Sequence, residues 1–256
     1  MKKVGIALGG GGSRGFAHLG VLKALEEKGI KPDIISGTST GAIIGALLAA
    51  DKSPDEIMEI LKEIRITDIA KLGLPTNGLA NLGNLRSKLD KLLDNKSFFD
   101  LKYPLHIAVS NLFTGKVEYI SEGNVSKAVQ ASASIPILFS PVEINGQLYV
   151  DGGMLDNVPV KPLVGNCDII VAVDIMPIEK VAKIEGVSAI FARIFEMSVG
   201  IQQGIKESCD LIIELNELAG YNILDTNHNE KVYEIGYNYV KNMDLSGIIS
   251  IDQLIE

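Results

Sequence analysis

Four consecutive glycines, Gly9 to Gly12, lie between a short apolar run and an amphipathic segment. The run Val4 to Leu8 has the length and character of a buried strand that the glycines end. From Arg14 to Lys28, apolar residues recur at helical spacing with charged residues outside that stripe, and Gly29 is a stop signal. This strand, glycine loop and helix predict the start of an α/β domain with a mainly parallel sheet.

The alternation of apolar runs with helical segments continues along the chain. Further strands are predicted at 33–36, 106–109, 116–121, 147–150, 169–174 and 211–214. An apolar helix is predicted from Ala42 to Ala50, and another begins after Ser53, an N-cap followed by proline. The glycine-rich segment 66–84 is expected to be irregular. Because no repeat or long linker divides the 256 residues, one domain spanning 1–256 is expected.

The charge balance restricts the partners. The chain has 24 basic and 32 acidic residues, a net charge of −8, and no basic cluster longer than Met1 to Lys3. Binding to nucleic acid and polybasic attachment to an anionic membrane are therefore not expected. The first apolar run is too short for a signal peptide, and Ala42 to Ala50 is too short to cross a bilayer. Two cysteines, Cys167 and Cys209, indicate neither a disulfide framework nor a zinc site, so a cytoplasmic protein without metal or cofactor is expected.

The pentapeptide Gly37 to Gly41 has the form G-x-S-x-G, with Ser39 at its centre. It follows a predicted strand and precedes the apolar helix, which is where a nucleophile elbow occurs. Small neighbours let the backbone pass closely through such a strained turn, and the helix N-terminus favours a developing oxyanion. The other residues of the elbow are Gly37, Thr38, Thr40 and Gly41. Ser39 is therefore a candidate nucleophile, with a plain glycine turn as the alternative.

The glycine loop, residues 9–15, presents backbone N–H groups that can hold an anion, and three uses compete. A phosphate-binding loop would need Lys and Ser or Thr after Gly15, and these are missing. A dinucleotide fingerprint fits Gly10, Gly12 and Gly15, but its acid belongs at the far end of the second strand, whereas Asp33 lies at the near end. The third use is an oxyanion hole for an intermediate at Ser39.

The tripeptide Asp151-Gly152-Gly153 follows a predicted strand. An acid at a strand end, with glycines that let its loop approach closely, can lie against a serine on another strand. A hairpin turn is the alternative, and for this tripeptide alone it is the commoner one.

A conventional triad would need one of the three histidines. His18 lies in the first helix and is expected to cap or pack beneath the glycine loop, whereas His106 enters a core strand. His228 falls in a polar stretch that is expected to be an exposed loop. The order Ser39, acid, His228 is that of an α/β-hydrolase, but there the elbow follows several strands, and here it follows the second.

Together these segments resemble the patatin-like phospholipase family, especially its compact bacterial members. Four blocks carry the resemblance in the family's order: Leu8–Leu22, Gly37–Gly41, Ala131–Val142 and Asp151–Gly153. The match covers most of residues 4–175, and the region after about residue 176 has no matching motif.

The resemblance implies a three-layer α/β/α fold and a lipid acyl hydrolase that works without a cofactor. Ser39 would attack the acyl carbonyl, and Asp151 would accept its proton without any histidine. The oxyanion block comprises Gly10, Gly11, Gly12, Ser13, Arg14 and Gly15, with Arg14 expected to anchor the loop. Since an aspartate of ordinary pKa, about 3.9, is a weak base, the dyad needs burial that raises this value.

The resemblance also implies fatty acyl esters of glycerolipids as substrates, with a possible transient contact with a membrane surface. The segment Gly186 to Gly204 carries an apolar stripe, which predicts a lid or interfacial helix or, more commonly, core packing. The competing functions are a nucleotide-binding module and a regulatory partner-binding protein with little hydrolysis. No oligomeric state is predicted.

Overall fold

The computed structural model describes residues 2–64, 71–72, 80–178, 180, 184–199, 207–223 and 225–246. Its strands are β1 (Val4–Leu8), β2 (Ile34–Gly37), β3 (Lys71–Leu72), β4 (Ala80–Asn81), β5 (Leu105–Asn111), β6 (Val117–Ile120), β7 (Val142–Ile144), β8 (Gln147–Asp151), β9 (Ile169–Asp174) and β10 (Leu211–Glu214). Its helices are α1 (Phe16–Glu27), α2 (Thr40–Ala49), α3 (Pro54–Lys62), α4 (Gly83–Leu92), α5 (Val125–Ser132), α6 (Val187–Ser198) and α7 (Asn229–Lys241).

One mixed sheet organises the molecule, in the order β10-β9-β1-β2-β5-β8-β7 with β6 beside β5. The strands from β10 to β5 pair in parallel, whereas β8 runs antiparallel to β5 and to β7. The prediction of an α/β fold with a mainly parallel sheet is confirmed. The carboxyl ends of β1 and β2 therefore meet at one edge, where Leu8 pairs with Gly37.

The two faces of the sheet are covered differently. On one face, Val4, Ile6 and Leu8 of β1 join a large buried cluster with residues of α1, α2, α5 and α7. On the other face, Ala7 packs with Val158, Val160 and Leu163 from the segment after β8. Cys167 and Cys209 are unpaired and partly buried beside this second cluster. None of the described helices contains a stretch both long and apolar enough to cross a bilayer.

Local signals set several element boundaries. The strands at 4–8, 169–174 and 211–214 occur with the predicted bounds. Helix α1 starts at Phe16 rather than Arg14 because Gly12–Gly15 form a 3₁₀ turn. The predicted cap of α3 is present: Ser53 Oγ accepts the Glu56 N–H at 3.3 Å, and Glu56 Oε2 accepts the Ser53 N–H at 2.8 Å.

The prediction of an irregular segment at 66–84 is wrong for its last residues. Residues 66–70 and 73–79 lie outside the described residues, but 71–72 and 80–81 pair as β3 and β4. Gly83 begins α4 instead of extending a loop. The reason is local: Asn81 Oδ1 accepts the Gly83 N–H at 3.0 Å and so satisfies a free amide at the helix start.

Candidate functional site

Ser39 lies on a strained turn between β2 and α2, with φ 52° and ψ −118°. Few residues other than glycine adopt such a backbone conformation, and strain of this kind is concentrated at functional sites. The flanking glycines are needed for close approach, because a Cβ atom on Gly41 would lie 2.1 Å from the Leu8 carbonyl oxygen. A Cβ atom on Gly37 would lie 2.5 Å from the Gly41 carbonyl oxygen. The turn therefore has the geometry of a nucleophile elbow rather than of a plain glycine turn.

Side chains from other segments hold the elbow in place. The Ser39 N–H donates to Ser132 Oγ at 2.9 Å, and the Ser132 hydroxyl donates to the Ala108 carbonyl at 2.7 Å. Thr38 Oγ1 donates to the Asp156 carbonyl at 3.1 Å. Ser132 ends α5 and belongs to the block Ala131–Val142, but the sequence did not single it out, because its role depends on contacts with β5 and the elbow.

The pairing of β2 and β8 with β5 places Asp151 close to Ser39. Gly37 pairs with Ile107 of β5, and Asp151, at the end of β8, pairs with Val109. Because β8 runs antiparallel to β5, it ends close to the level where β2 ends. Asp151 is followed by a 3₁₀ turn from Gly152 to Met154, so the hairpin-turn alternative is wrong.

The Asp151 carboxyl group is fully buried. Burial raises its pKa to about 7, although hydrogen bonds from the Gly153 N–H and the Ser39 hydroxyl lower it. Oδ1 accepts the Gly153 N–H at 2.8 Å. Oδ2 has no partner of ordinary hydrogen-bond geometry among the described residues. Ser39 nevertheless lies close enough to affect the pKa of this carboxyl group. A carboxylate of this pKa is a far better base at neutral pH than an ordinary aspartate.

The acid loop, Asp151–Gly153, approaches β5 closely. A Cβ atom on Gly152 would lie 2.2 Å from the Ala108 carbonyl oxygen. Any other residue at position 152 would push the loop away from β5 and displace Asp151. This explains why a glycine follows the acid.

The amides of the glycine loop divide into engaged and open groups. Four already have acceptors: Gly9 N–H bonds to Val173 O, Gly10 N–H to Asn157, Ser13 N–H to Ile223 O, and Arg14 N–H to Gly11 O. The amides of Gly11 and Gly12 have no acceptor within the part of the chain that the structure describes. A Cβ atom on Gly15 would lie 2.3 Å from Thr40 Oγ1, so Gly15 packs the loop onto α2. Within the predicted oxyanion block, the Gly11 and Gly12 amides are therefore open to a ligand.

Asn157 joins the glycine loop to the acid loop, and sequence reasoning missed it. Its Oδ1 accepts the Gly10 N–H at 3.2 Å, and its Nδ2 donates to the Gly10 carbonyl at 3.3 Å. A Cβ atom on Gly153 would lie 3.0 Å from the same Oδ1. Its only sequence signal is its position shortly after Asp151.

Arg14 is buried and anchors the glycine loop, as expected. Its Nε donates to the Tyr221 carbonyl at 2.8 Å, and its Nη2 lies 3.6 Å from Glu196 Oε1. These contacts tie the loop to α6 and to the segment before α7.

No histidine of the described chain hydrogen-bonds to Ser39 or Asp151. His18 is buried beneath the glycine loop with Nε2 2.7 Å from the Gly9 carbonyl oxygen, and burial lowers its pKa to about 4. It is therefore neutral, with its proton on Nε2. His106 lies half-buried in β5, and His228 is exposed just before α7. The histidine triad has no support in this geometry.

The dinucleotide alternative lacks its acid. Asp33 Oδ2 accepts the Val4 N–H at 2.7 Å, at the amino end of the parallel strands. The glycine loop lies at the carboxyl end, so Asp33 cannot bind a ribose held by that loop.

The raised pKa of Asp151 predicts a pH-dependent effect on stability. In the unfolded chain this carboxyl has a pKa of about 3.9, so below about pH 4 it is protonated in both states. Between about pH 4 and 7 the Asp151 carboxyl ionises readily in the unfolded chain but not in the folded protein. Burying it therefore lowers the free energy of unfolding, by roughly 4 kcal/mol above about pH 7. Relative to wild type, Asp151→Asn should gain stability as pH rises through this window and should gain none at pH 4. Urea unfolding between pH 4 and 8 measures this difference, and a difference independent of pH would contradict it.

A family model described as patatin-like phospholipase matches residues 6–164. The chain is 34% identical over 177 residues to an uncharacterized NTE family protein of Mycobacterium tuberculosis, which covers 68% of this chain and 49% of that protein. It is 36% identical over 185 residues to lysophospholipase nte1 of Aspergillus fumigatus, which covers 70% of this chain and 12% of that protein. The chain thus spans half or less of the length of these relatives. The crystal structure of VipD from Legionella pneumophila shares the fold, with a TM-score of 0.60 and 16% identity over 93% of this chain and 66% of that one.

Proposed function

The chain belongs to the patatin-like phospholipase family, and from this premise we propose that it is a lipid acyl hydrolase with Ser39 and Asp151 as its catalytic dyad. One observation carries the proposal. A serine on a strained elbow lies beside a fully buried aspartate whose pKa is raised to about 7.

The dyad supplies both proton transfers of an acyl transfer. Ser39 Oγ attacks the ester carbonyl while the Asp151 carboxylate accepts the hydroxyl proton. Asp151 then gives that proton to the alkoxide leaving group as the carbon–oxygen bond breaks, leaving a serine acyl-enzyme. Water attacks the acyl-enzyme with Asp151 again as the base, which releases a fatty acid and restores Ser39. A pKa near neutrality suits a group that must both accept and return a proton.

The open amides supply the electrostatic stabilisation of the reaction intermediate. The Gly11 and Gly12 N–H groups have no acceptor among the described residues, and they belong to a loop that packs on the elbow helix. The N-terminus of α2 adds a partial positive charge beside Ser39. Together these donors stabilise the tetrahedral oxyanion, for which one donor typically contributes about 3–4 kcal/mol.

A lysophospholipid is the first substrate to test, because relatives are named lysophospholipase. The purified protein should release free fatty acid from lysophosphatidylcholine or from another glycerolipid ester in a panel, detected by mass spectrometry. Folded protein that releases no fatty acid from any lipid ester and does not react with a soluble ester would contradict the proposal.

Hydrolysis should depend on pH through Asp151. Because the base acts as its carboxylate and its pKa is about 7, kcat/KM should rise with pH through that value and level off above it. Initial rates with a soluble ester from pH 5 to 9 measure this limb. An acid limb at about pH 4 would mean that the reacting base is an ordinary, solvated carboxylate.

Asn157 is expected to act as a positioning residue. Asn157→Ala removes both side-chain bonds to Gly10, although the Gly10 N–H keeps its bond to the Asn157 carbonyl. The change should lower kcat by roughly 10- to 100-fold with a smaller change in KM, because a small displacement of catalytic groups is costly. Asn166→Ala is the matched control, since that exposed side chain bonds only to the Pro162 carbonyl within the described contacts. Equal kinetics for both variants would remove Asn157 from the site.

A further inference from the structure

Helix α6 has its charged side chains turned inward. Glu196 lies 3.6 Å from Arg14 of the glycine loop and 3.1 Å from Arg193, and the two α6 side chains are only 18% and 17% exposed. Ile190, Ile194 and Met197, which recur at helical spacing along one stripe, are 50%, 57% and 63% exposed. A surface helix of a globular protein normally shows the reverse arrangement. Core packing is therefore wrong for these three residues, although it holds for Val199. The side chains of Phe191 and Phe195 and residues 200–204 lie outside what the structure describes.

The inverted helix lies against the catalytic loops. Ser198 Oγ is 3.8 Å from Met154 Sδ, and a Cβ atom on Gly153 would lie 3.2 Å from Val199. Val199 belongs to a small buried cluster with Met176 and Ile223, against which Met154 and Ile135 pack. Since Met176 also approaches the glycine loop at Gly11, this cluster lies between the oxyanion donors and the acid.

Two other segments that meet this cluster also expose apolar side chains. Leu155 follows Met154 and is 36% exposed, and Ile137 is 65% exposed two residues beyond Ile135. Ile137 has φ 68°, a conformation that β-branched residues rarely adopt. We call Ile137, Leu155, Ile190, Ile194 and Met197 the apolar rim; none of its members carries a charge.

We propose that the apolar rim docks the protein on a lipid surface with electrically neutral headgroups. This inference rests on the proposed function, because the rim adjoins the loops that carry the dyad and the substrate lies in such a surface. The chain carries a net charge of −8, and Arg193, the basic residue of α6, pairs with Glu196, so attraction to anionic lipids does not contribute. Docking through apolar contact keeps the acyl chain out of water on its way to Ser39, and it should be insensitive to salt.

Vesicle flotation tests the docking step apart from catalysis. Ser39→Ala protein should bind phosphatidylcholine vesicles without consuming them, equally at low and high salt. Adding Ile194→Glu and Met197→Glu should weaken this binding about tenfold or more, because two apolar side chains no longer enter the lipid. Phe99→Glu is the matched control: Phe99 is 97% exposed and precedes β5, at the opposite edge of the sheet, so binding should not change.

The two rim substitutions, placed in protein that keeps Ser39, separate docking from catalysis when hydrolysis is measured. This rim variant should keep the wild-type rate on a soluble short-chain ester and lose activity on vesicle lipid by about the factor lost in binding. Equal losses on both substrates, or no vesicle binding by a protein that hydrolyses the soluble ester, would overturn the docking inference. So would a dimer in sedimentation that the rim variant dissociates, since a second copy would then cover the rim. Rim-dependent vesicle binding without any ester hydrolysis would sustain docking and reject the proposed function.

Discussion

Ser39→Ala is expected to lower ester hydrolysis by roughly 10³- to 10⁶-fold, the range found when a nucleophilic serine is removed from an enzyme. In the proposed mechanism the hydroxyl is the attacking group, so the remaining rate should come only from binding and the oxyanion donors. Fatty acid release measures the loss, and a fluorophosphonate probe mapped by mass spectrometry should label Ser39 in wild type and nothing in the variant.

Structure around residue 39 should survive this change. Its backbone amide still donates to Ser132, and alanine adopts the φ of 52° at a cost similar to that of serine. Ser87→Ala is the control, because Ser87 lies on the exposed face of α4 and bonds only to the Gly83 carbonyl among the described contacts. Labelling that persists in Ser39→Ala would place the nucleophile elsewhere.

Asp151→Asn is expected to lower hydrolysis by roughly 10³- to 10⁵-fold, because the amide has nearly the same shape but cannot accept the Ser39 proton. The amide oxygen can still accept the Gly153 N–H, so the acid loop should keep its conformation. The same variant is expected to be more stable than wild type above pH 7, so the loss of activity cannot be assigned to unfolding. Rates and unfolding curves measured on one preparation test both expectations.

Asp156→Asn is a matched control for Asp151→Asn. Asp156 is also buried, and burial raises its pKa to about 6, but its Oδ2 accepts a hydrogen bond from the Tyr119 hydroxyl. We expect its hydrolysis to stay within about tenfold of wild type, since the carboxyl bonds to Tyr119, and the Thr38 hydroxyl bonds to the Asp156 backbone carbonyl, which the variant keeps. A larger loss in Asp156→Asn than in Asp151→Asn would mean that the wrong carboxylate has been assigned to the dyad.

Local chemistry made most of the framework predictable. Short apolar runs identified β1, β9 and β10, and a serine followed by proline identified the cap of α3. The elbow was also predictable, because strand, glycine, serine and helix are neighbours along the chain. The start of α4 was missed because the glycines of 66–84 suggested a loop, whereas the Asn81 side chain caps the helix at Gly83. For the tripeptide after β8 the sequence left a hairpin turn open, and the structure has a 3₁₀ turn.

Local motifs in the sequence were thus enough to find the candidate residues of the site, whereas their chemical properties depend on the tertiary structure. Ser39 and Asp151 meet because β8 runs antiparallel on β5, and Asp151 is a useful base because full burial raises its pKa to about 7. The contacts of Asn157 with Gly10, and of Glu196 with Arg14, turn side chains inward that local patterns place on the surface. Burial, pairing and desolvation depend on segments distant in sequence, so only the folded chain could assign these roles.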